Sequence, residues 1–199
     1  MVKINLGCGP NGIDGWINYD WGLLPFINKF GLIDVFIKLG MIGKNYKTKW
    51  PKFELVDIRK KWPLKNKSVD YIYCSHVLEH FEKYKTGEIL KESRRVLKKG
   101  GILRIVLPDL KKMVDNYKEA DDFCRDFFGF DKDKKYGLAG SFIRGHSWMY
   151  DKKSLTDILK MAGFAKIKEC KFRQGECPDI EKLDYEGHRQ ISMYFEIQK

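Results

Sequence analysis

The chain has 199 residues, a formal net charge of +11 and an aromatic content of 14%. This length is enough for one domain with a full apolar core, so we expect a single domain over residues 1–199. The five cysteines lack the spacing of a disulfide framework, which excludes a small disulfide-stapled fold and predicts reduced thiols in the cytoplasm. Residues 3–6 read as a strand rather than as the apolar core of a signal peptide.

The first informative stretch covers residues 3–20. A short β-prone run at 4–6 enters a loop with glycines at positions 7, 9, 12 and 15, and a second run, 16–19, leads to Asp20. Glycine has no Cβ, so this loop can turn sharply and lie against a ligand. A carboxylate at the end of the second strand can accept hydrogen bonds from both hydroxyls of a ribose. The pattern predicts a parallel α/β sheet that holds a nucleoside.

The identity of the nucleoside follows from what comes after the loop. Residues 7–12 match G-x-G-x-x-G, the dinucleotide-binding pattern, but Pro10, Asn11 and Gly12 are poor residues for starting a helix. Asp20 lies 13 positions after Gly7, whereas the dinucleotide pattern places its acid about 20 residues on. We therefore expect the first crossover helix to be shortened or absent. This favours a nucleoside without phosphate, such as S-adenosylmethionine, over a nicotinamide dinucleotide.

The remaining segments predict alternating strands and helices. Ser75 reads as the N-cap of a helix that begins at His76. The predicted strands lie at 53–58, 69–74, 102–107, 165–172 and 192–197, and further helices lie at 86–97, 111–128 and 151–162. With the two strands before residue 20, this predicts a doubly wound, mostly parallel seven-stranded sheet whose last two strands form an antiparallel hairpin.

Four motifs in this order resemble a known family. LGCG followed by Asp20, then VDI, WPLKNKSVDYIYCSHVLEHF and LKKGGILRIVLPDL, is similar to the class I S-adenosylmethionine-dependent methyltransferases, in particular their methyltransferase type 11-like branch. The resemblance is strong over residues 1–110 and loose over 145–199. It implies a Rossmann-like α/β fold and methyl transfer from S-adenosylmethionine, with S-adenosylhomocysteine as the product.

The resemblance also implies a set of cofactor-binding residues. The glycine loop would line the methionine and ribose, Asp20 would bind the ribose diol, and Asp57 would face the adenine amino group. The full set is Leu6, Gly7, Cys8, Gly9, Asp20, Trp21, Asp57, Ile58, Ser75 and His76.

Two inserted segments, 22–50 and 111–150, are predicted to form a lid or a substrate pocket. The first is unusually apolar, yet too short and too charged to span a bilayer. Packed on the sheet, it would roof the cofactor; exposed, it would be an interfacial patch for peripheral contact with a membrane. Residues 140–150 mix glycine, aromatic and hydrogen-bonding side chains, which suits a pocket wall.

Transfer to an oxygen acceptor requires a group that takes its proton. The candidates are His146, His80, Asp109 and His188. We favour His146, because it lies in the aromatic-rich stretch that should face the cofactor, with His80 as the second choice. Residues 76–80 also match H-x-x-E-H, a zinc-protease pattern, but we predict no metal because nothing downstream indicates a third ligand.

The acceptor is predicted to be a small molecule, a sugar or a lipid-linked group. Nucleic acid is less favoured, because no Asn/Asp-Pro-Pro-aromatic motif follows the fourth strand. An RNA-binding methyltransferase and a non-catalytic nucleoside-binding module remain the alternatives. The sequence does not specify the oligomeric state.

Overall fold

The computed structural model describes residues 1–129 and 145–199, so the predicted features within 130–144 lie outside the described residues. The strands are β1 Lys3–Leu6, β2 Ile17–Asp20, β3 Glu54–Leu55, β4 Val69–Ser75, β5 Leu97–Pro108, β6 Lys166–Cys170 and β7 Ser192–Gln198. The α-helices are α1 Leu23–Lys29, α2 Ile33–Lys38, α3 Lys83–Val96, α4 Leu110–Asp115, α5 Ala120–Phe128, α6 Lys152–Met161 and α7 Ile180–Leu183.

The strands form one sheet in the order β3-β2-β1-β4-β5-β7-β6. The first five are parallel, and β7 runs antiparallel to both β5 and β6. This confirms the predicted mostly parallel sheet with an antiparallel C-terminal pair. The central strands are apolar on both faces because helices cover both sides, and Ile4, Ile72 and Ile105 are fully buried. The carboxyl ends of β1, β2 and β4 meet at one edge of the sheet, where α/β folds bind ligands.

The first crossover contains no α-helix, as predicted. One 3-10 turn, Gly9–Asn11, replaces it, and after the extended Gly12 a turn at residues 14–15 leads into β2. Asn18 of β2 is buried beneath this loop and donates its amide to the carbonyls of Ile13 (3.2 Å) and Lys52 (3.1 Å). A Cβ on Gly12 would lie 2.7 Å from Asn18 Oδ1, so only glycine lets the loop pass this close.

The prediction of a helix from His76 is wrong. His76 adopts a left-handed backbone conformation with φ of 52°, and its amide still donates to Val106 O of β5 at 2.9 Å. A short 3-10 turn, Leu78–His80, follows, and α3 begins only at Lys83. His76 and His80 therefore do not share a helix face. The left-handed residue turns the chain away from the sheet edge while Val77 and Leu78 are still packed in the core.

Two further predicted elements differ from the structure. The predicted strand 53–58 pairs only over Glu54–Leu55, and the predicted helix 111–128 is divided into α4 and α5. The division falls at Asn116, the C-cap of α4, where a non-helical conformation ends the first segment.

The insertion 22–50 forms α1, α2 and the 3-10 turn Lys44–Tyr46. Ile27 and Ile42 are buried at the centre of a small cluster of their own, while Phe30 and Leu39 on the outer face are 59% and 67% exposed. None of the helices in the described ranges is long and apolar enough to cross a bilayer. The insertion thus has one packed side and one exposed apolar side.

A buried ionic network joins the C-terminal strands. Arg104 of β5 is fully buried and donates from Nη2 to Asp184 Oδ2 at 2.6 Å and from Nη1 to Glu196 Oε1 at 3.2 Å. Glu196 lies on β7 and Asp184 follows α7, so one guanidinium holds two carboxylates from separate elements. Removing one partner of such a network leaves buried charge without compensation.

We expect Arg104→Met to lower the free energy of unfolding by about 3–5 kcal/mol, because two carboxylates stay buried without their cation. The control is Lys153→Met, which removes the exposed pair that Lys153 makes with Asp157 at 2.8 Å and should leave the free energy of unfolding nearly unchanged, because solvent screens this pair. Chemical denaturation followed by circular dichroism measures both. Equal effects of the two substitutions would contradict the role given to the network.

Candidate functional site

A cavity of about 710 Å³ opens at the carboxyl edge of β1, β2 and β4. Its floor is formed by the loops that follow these strands, and its roof by the insertion 22–50, through Leu23, Leu24, Ile42, Tyr46 and Trp50. The volume lies within the range of protein ligand sites. The cavity therefore lies where the strand order predicts a binding site.

The glycine loop borders the cavity with its backbone. Gly7 and Gly9 both have positive φ, 61° and 53°. A Cβ on Gly7 would overlap Cγ2 of Val77, whereas a Cβ on Gly9 would meet nothing within 4 Å among the described residues. Glycine at position 7 thus lets the loop pack against the turn after β4, and glycine at position 9 keeps the cavity side of the loop open.

Asp20 closes β2 beside this loop. Its Oδ2 accepts from Gly9 N and its Oδ1 from Trp21 N, both at 2.7 Å. Burial raises the pKa of Asp20, and the two amide donors act in the opposite direction. A carboxylate has about four lone-pair positions, so acceptor capacity remains on both oxygens for a ligand in the cavity.

Asp57 and Ile58 line the same cavity at the end of β3. Arg59 holds the Asp57 carboxylate in a two-pronged contact, with Nε to Oδ1 at 2.7 Å and Nη2 to Oδ2 at 2.9 Å. The bonds from Arg59 are the main reason why the pKa of Asp57 lies below its usual value. Arg59 also lines the cavity and was not predicted, because an arginine two positions after a strand looks like any surface cation in the sequence.

The predicted cofactor residues divide into two groups. Those that line the cavity are Gly7, Gly9, Asp20, Trp21, Asp57, Ile58 and His76. Leu6, Cys8 and Ser75 are not among its lining residues. Leu6 and Cys8 are buried, and Leu6 belongs to the apolar core of the sheet. The roof residues Ile42, Tyr46 and Trp50 were missed individually, because only the folded insertion brings them over the cavity.

His76 lines the cavity and stacks against His188. The two rings stack with centroids 3.6 Å apart and an interplanar angle of 21°, and His76 Nε2 lies 2.8 Å from Ser192 Oγ. Burial lowers the pKa of His76 to about 3, and the neighbouring imidazoles add to this effect. Burial also lowers the pKa of His188. Both rings are therefore neutral at physiological pH.

A second group, Glu79, His80 and His146, lies beside this end. One ligand-type atom from each side chain lies within 4.8 Å of the other two, and the rings of His80 and His146 are 5.3 Å apart. His80 lines the cavity, whereas His146 is not among its lining residues. We predicted no metal because the sequence indicated no third ligand. The fold supplies one, since it brings His146 next to Glu79 and His80.

The fourth candidate base has a structural role. Asp109 is buried, and its carboxylate caps α4 by accepting from Lys111 N at 3.0 Å. It is not among the residues that line the cavity.

We expect Gly7→Ala to destabilise the fold through two effects. The left-handed conformation costs an alanine about 1–2 kcal/mol, and overlap with Val77 adds about 1–3 kcal/mol. Adding Val77→Ala should relieve the overlap, so the double variant is expected to lose less stability than the sum of the single variants. Chemical denaturation of the four proteins tests this. Strictly additive losses would show that Gly7 and Val77 do not interact.

The chain is similar to known methyltransferases, in part of its sequence and in its fold. Residues 32–105 match the sequence model of a family described as a methyltransferase domain. No curated protein matches the chain. A SAM-dependent methyltransferase from Thermotoga maritima is similar in structure, with a TM-score of 0.56, 15% identity and coverage of 100% of this chain and 82% of that one. Another from Archaeoglobus fulgidus has a TM-score of 0.53 and 16% identity, with 99% and 85% covered. The predicted Rossmann-like fold is confirmed, and the family model supports the predicted resemblance to methyltransferases over residues 32–105.

Proposed function

We propose that this chain is a methyltransferase that transfers the methyl group of S-adenosylmethionine to a small-molecule, sugar or lipid-linked acceptor. The observation that supports the proposal most strongly is the open glycine loop beside the cavity-facing carboxylate of Asp20. The proposal also includes a single domain over residues 1–199 and a cytoplasmic location.

The cavity residues fit S-adenosylmethionine. The Asp20 carboxylate would accept hydrogen bonds from the ribose hydroxyls, through the lone pairs that the amides of Gly9 and Trp21 do not use. Asp57 and Ile58 would lie at the adenine, where the tight pairing of Asp57 with Arg59 fixes the carboxylate before any ligand arrives. Gly7 and Gly9 would border the methionine part. A three-residue 3-10 turn after β1 presents no α-helix N-terminus, which disfavours a pyrophosphate and hence a nicotinamide dinucleotide.

The bound cofactor supplies a methyl group on a positively charged sulfur. The residues of this chain then act mainly by position: acceptor and methyl carbon must meet in line with water excluded. The apolar roof side chains Leu23, Leu24 and Ile42 would exclude water. The histidines at the cavity would receive the acceptor, and His80 or His146 would take its proton if the acceptor atom is an oxygen.

We expect Asp20→Ala to weaken binding of S-adenosylhomocysteine at least about tenfold, since each hydrogen bond to a charged acceptor contributes about 1.5–3 kcal/mol. Calorimetry measures the affinity. The control is Asp14→Ala, which removes an exposed carboxylate from the same loop and should leave it unchanged. His146→Ala should stay within a few-fold of the wild type. Binding of NADH in place of S-adenosylhomocysteine would overturn the proposed donor.

A membrane-borne acceptor is favoured by the exposed side of the insertion. Phe26, Phe30, Val35 and Leu39 are each about half exposed or more, and Phe26 and Phe30 contact each other with centroids 4.7 Å apart. Exposed lysines at 38, 44, 47 and 49 lie in the same segment. An apolar face beside cations is typical of proteins that bind the surface of anionic membranes. The same insertion roofs the cavity, so a lipid-linked acceptor would reach the methyl group from this side.

We expect the protein to float with anionic phosphatidylglycerol vesicles and to remain in the dense fraction with phosphatidylcholine alone. The variant Phe30→Ser/Leu39→Ser should lose flotation because it removes the apolar contacts while keeping the lysines. Met161→Ser is the control, since Met161 is exposed on α6, far along the chain from the insertion. Unchanged flotation of the double variant, or none by the wild type, would remove the membrane-borne acceptor.

RNA as acceptor is supported only by the net charge of +11. Its signature is binding to bulk RNA that weakens steeply with salt, because phosphate contacts release counterions.

A further inference from the structure

We propose that Glu79, His80 and His146 bind a divalent transition-metal ion at the acceptor end of the cavity. Two imidazoles and one carboxylate are a ligand set that zinc and similar ions use in catalytic sites, with a further position left for a non-protein ligand.

The strongest observation is the state of Glu79. Its side chain is 1% exposed, and neither carboxyl oxygen has a hydrogen-bond partner among the described residues. His76 Nδ1 lies 3.3 Å from Oε1, without hydrogen-bond geometry. A buried carboxyl group left in this condition is costly unless something binds it. A cation between Glu79 and the two histidines would provide the missing partner.

The two histidines are oriented as metal ligands usually are. His80 Nδ1 lies 3.1 Å from Gly145 O, and His146 Nδ1 lies 2.9 Å from Phe127 O. Carbonyl oxygens only accept, so each Nδ1 carries the proton and each Nε2 carries the lone pair. Backbone carbonyls that fix the tautomer in this way are a regular outer-shell feature of metal sites.

The backbone around the group holds it in place. Ser147 N and Trp148 N both donate to the carbonyl of Glu79, at 2.7 and 3.1 Å, which ties the segment of His146 to the turn that carries Glu79. A Cβ on Gly129, at the end of α5, would lie 2.5 Å from His146 Nε2, so glycine lets the imidazole lie against this helix end. Three separate segments therefore converge on the group.

The distances allow an ion after a small adjustment. The ligand atoms lie within 4.8 Å of one another, whereas a tetrahedral ion with bonds of about 2.0–2.2 Å separates its ligands by roughly 3.4 Å. Side-chain rotation of the order of 1 Å closes this difference. Since His80 lines the cavity, an open coordination position on the ion would face the acceptor. Such a position would favour an acceptor that carries a hydroxyl or carbonyl group. This last assignment rests on the proposed function, whereas binding of the ion does not.

The test is titration of the chelator-treated, reduced full-length chain with Co²⁺, followed by visible absorption, and with Zn²⁺, followed by calorimetry. We expect one ion per chain and no thiolate charge-transfer band. Glu79→Gln and His146→Asn should each weaken binding at least about tenfold. His188→Asn should leave it unchanged, because His188 is half-buried like His146 and lies next to His76 but is outside the ligand set.

Circular dichroism and S-adenosylhomocysteine binding of each variant separate the outcomes. Wild-type protein that binds S-adenosylhomocysteine but no metal, or metal binding carried by thiolates, would overturn the metal site alone. Equal loss of metal binding in His188→Asn and His146→Asn would do the same. Metal binding without S-adenosylhomocysteine binding would instead contradict the proposed function. Should Glu79→Gln fail to fold, His146→Asn and His80→Asn decide the question.

Discussion

The hydrogen bond from Gly9 N to Asp20 Oδ2 joins the two loops on which the cavity depends. In most dinucleotide-binding folds a helix follows the first strand, and its hydrogen bonds order the backbone. Here the first crossover has one 3-10 turn instead, and β2 supplies the order. Asp20 accepts from Gly9, Tyr19 O accepts from Cys8 N at 3.1 Å, and Asn18 holds the later part of the loop. The carboxylate thus anchors the loop and faces the ligand at the same time.

This arrangement explains why the glycine loop was the best source of prediction in the sequence. Glycine, proline and asparagine have strong local preferences, so the shortened crossover and the position of Asp20 could be inferred without knowledge of distant residues. The strands of the sheet were predicted for a similar reason, since mostly apolar runs such as 102–107, which only Arg104 interrupts, are typical of strands buried on both faces of a parallel sheet.

The prediction was wrong where packing decides the backbone. Ser75 and the residues after it have the composition of a helix start, but His76 continues the pairing with β5 and then turns left-handed, because Val77 fits against Gly7. That contact spans about seventy positions of the chain and leaves no trace in the local pattern. Two other placements also leave no trace in the local pattern. A backbone bond to the end of α5 holds His146 near His80, and the folded insertion brings Trp50 over the cavity. Sequence patterns found the strands that carry the site, but not the side chains that meet there.

The Arg104 network and Glu79, both buried, differ in a way that separates structure from function. Arg104 is fully buried together with Asp184 and Glu196, and each charged group has its partner. Glu79 is buried as deeply, but neither of its carboxyl oxygens has a hydrogen-bond partner among the described residues, and the nearby ring of His76 is neutral. Burial raises the pKa of Glu79 to about 8, so near neutral pH the carboxyl group keeps its proton unless a cation replaces it. The Arg104 network can be understood from folding alone. Folding alone does not explain Glu79, because a glutamine or a leucine would fill that space at less cost. The position of Glu79 next to two oriented imidazoles does explain it.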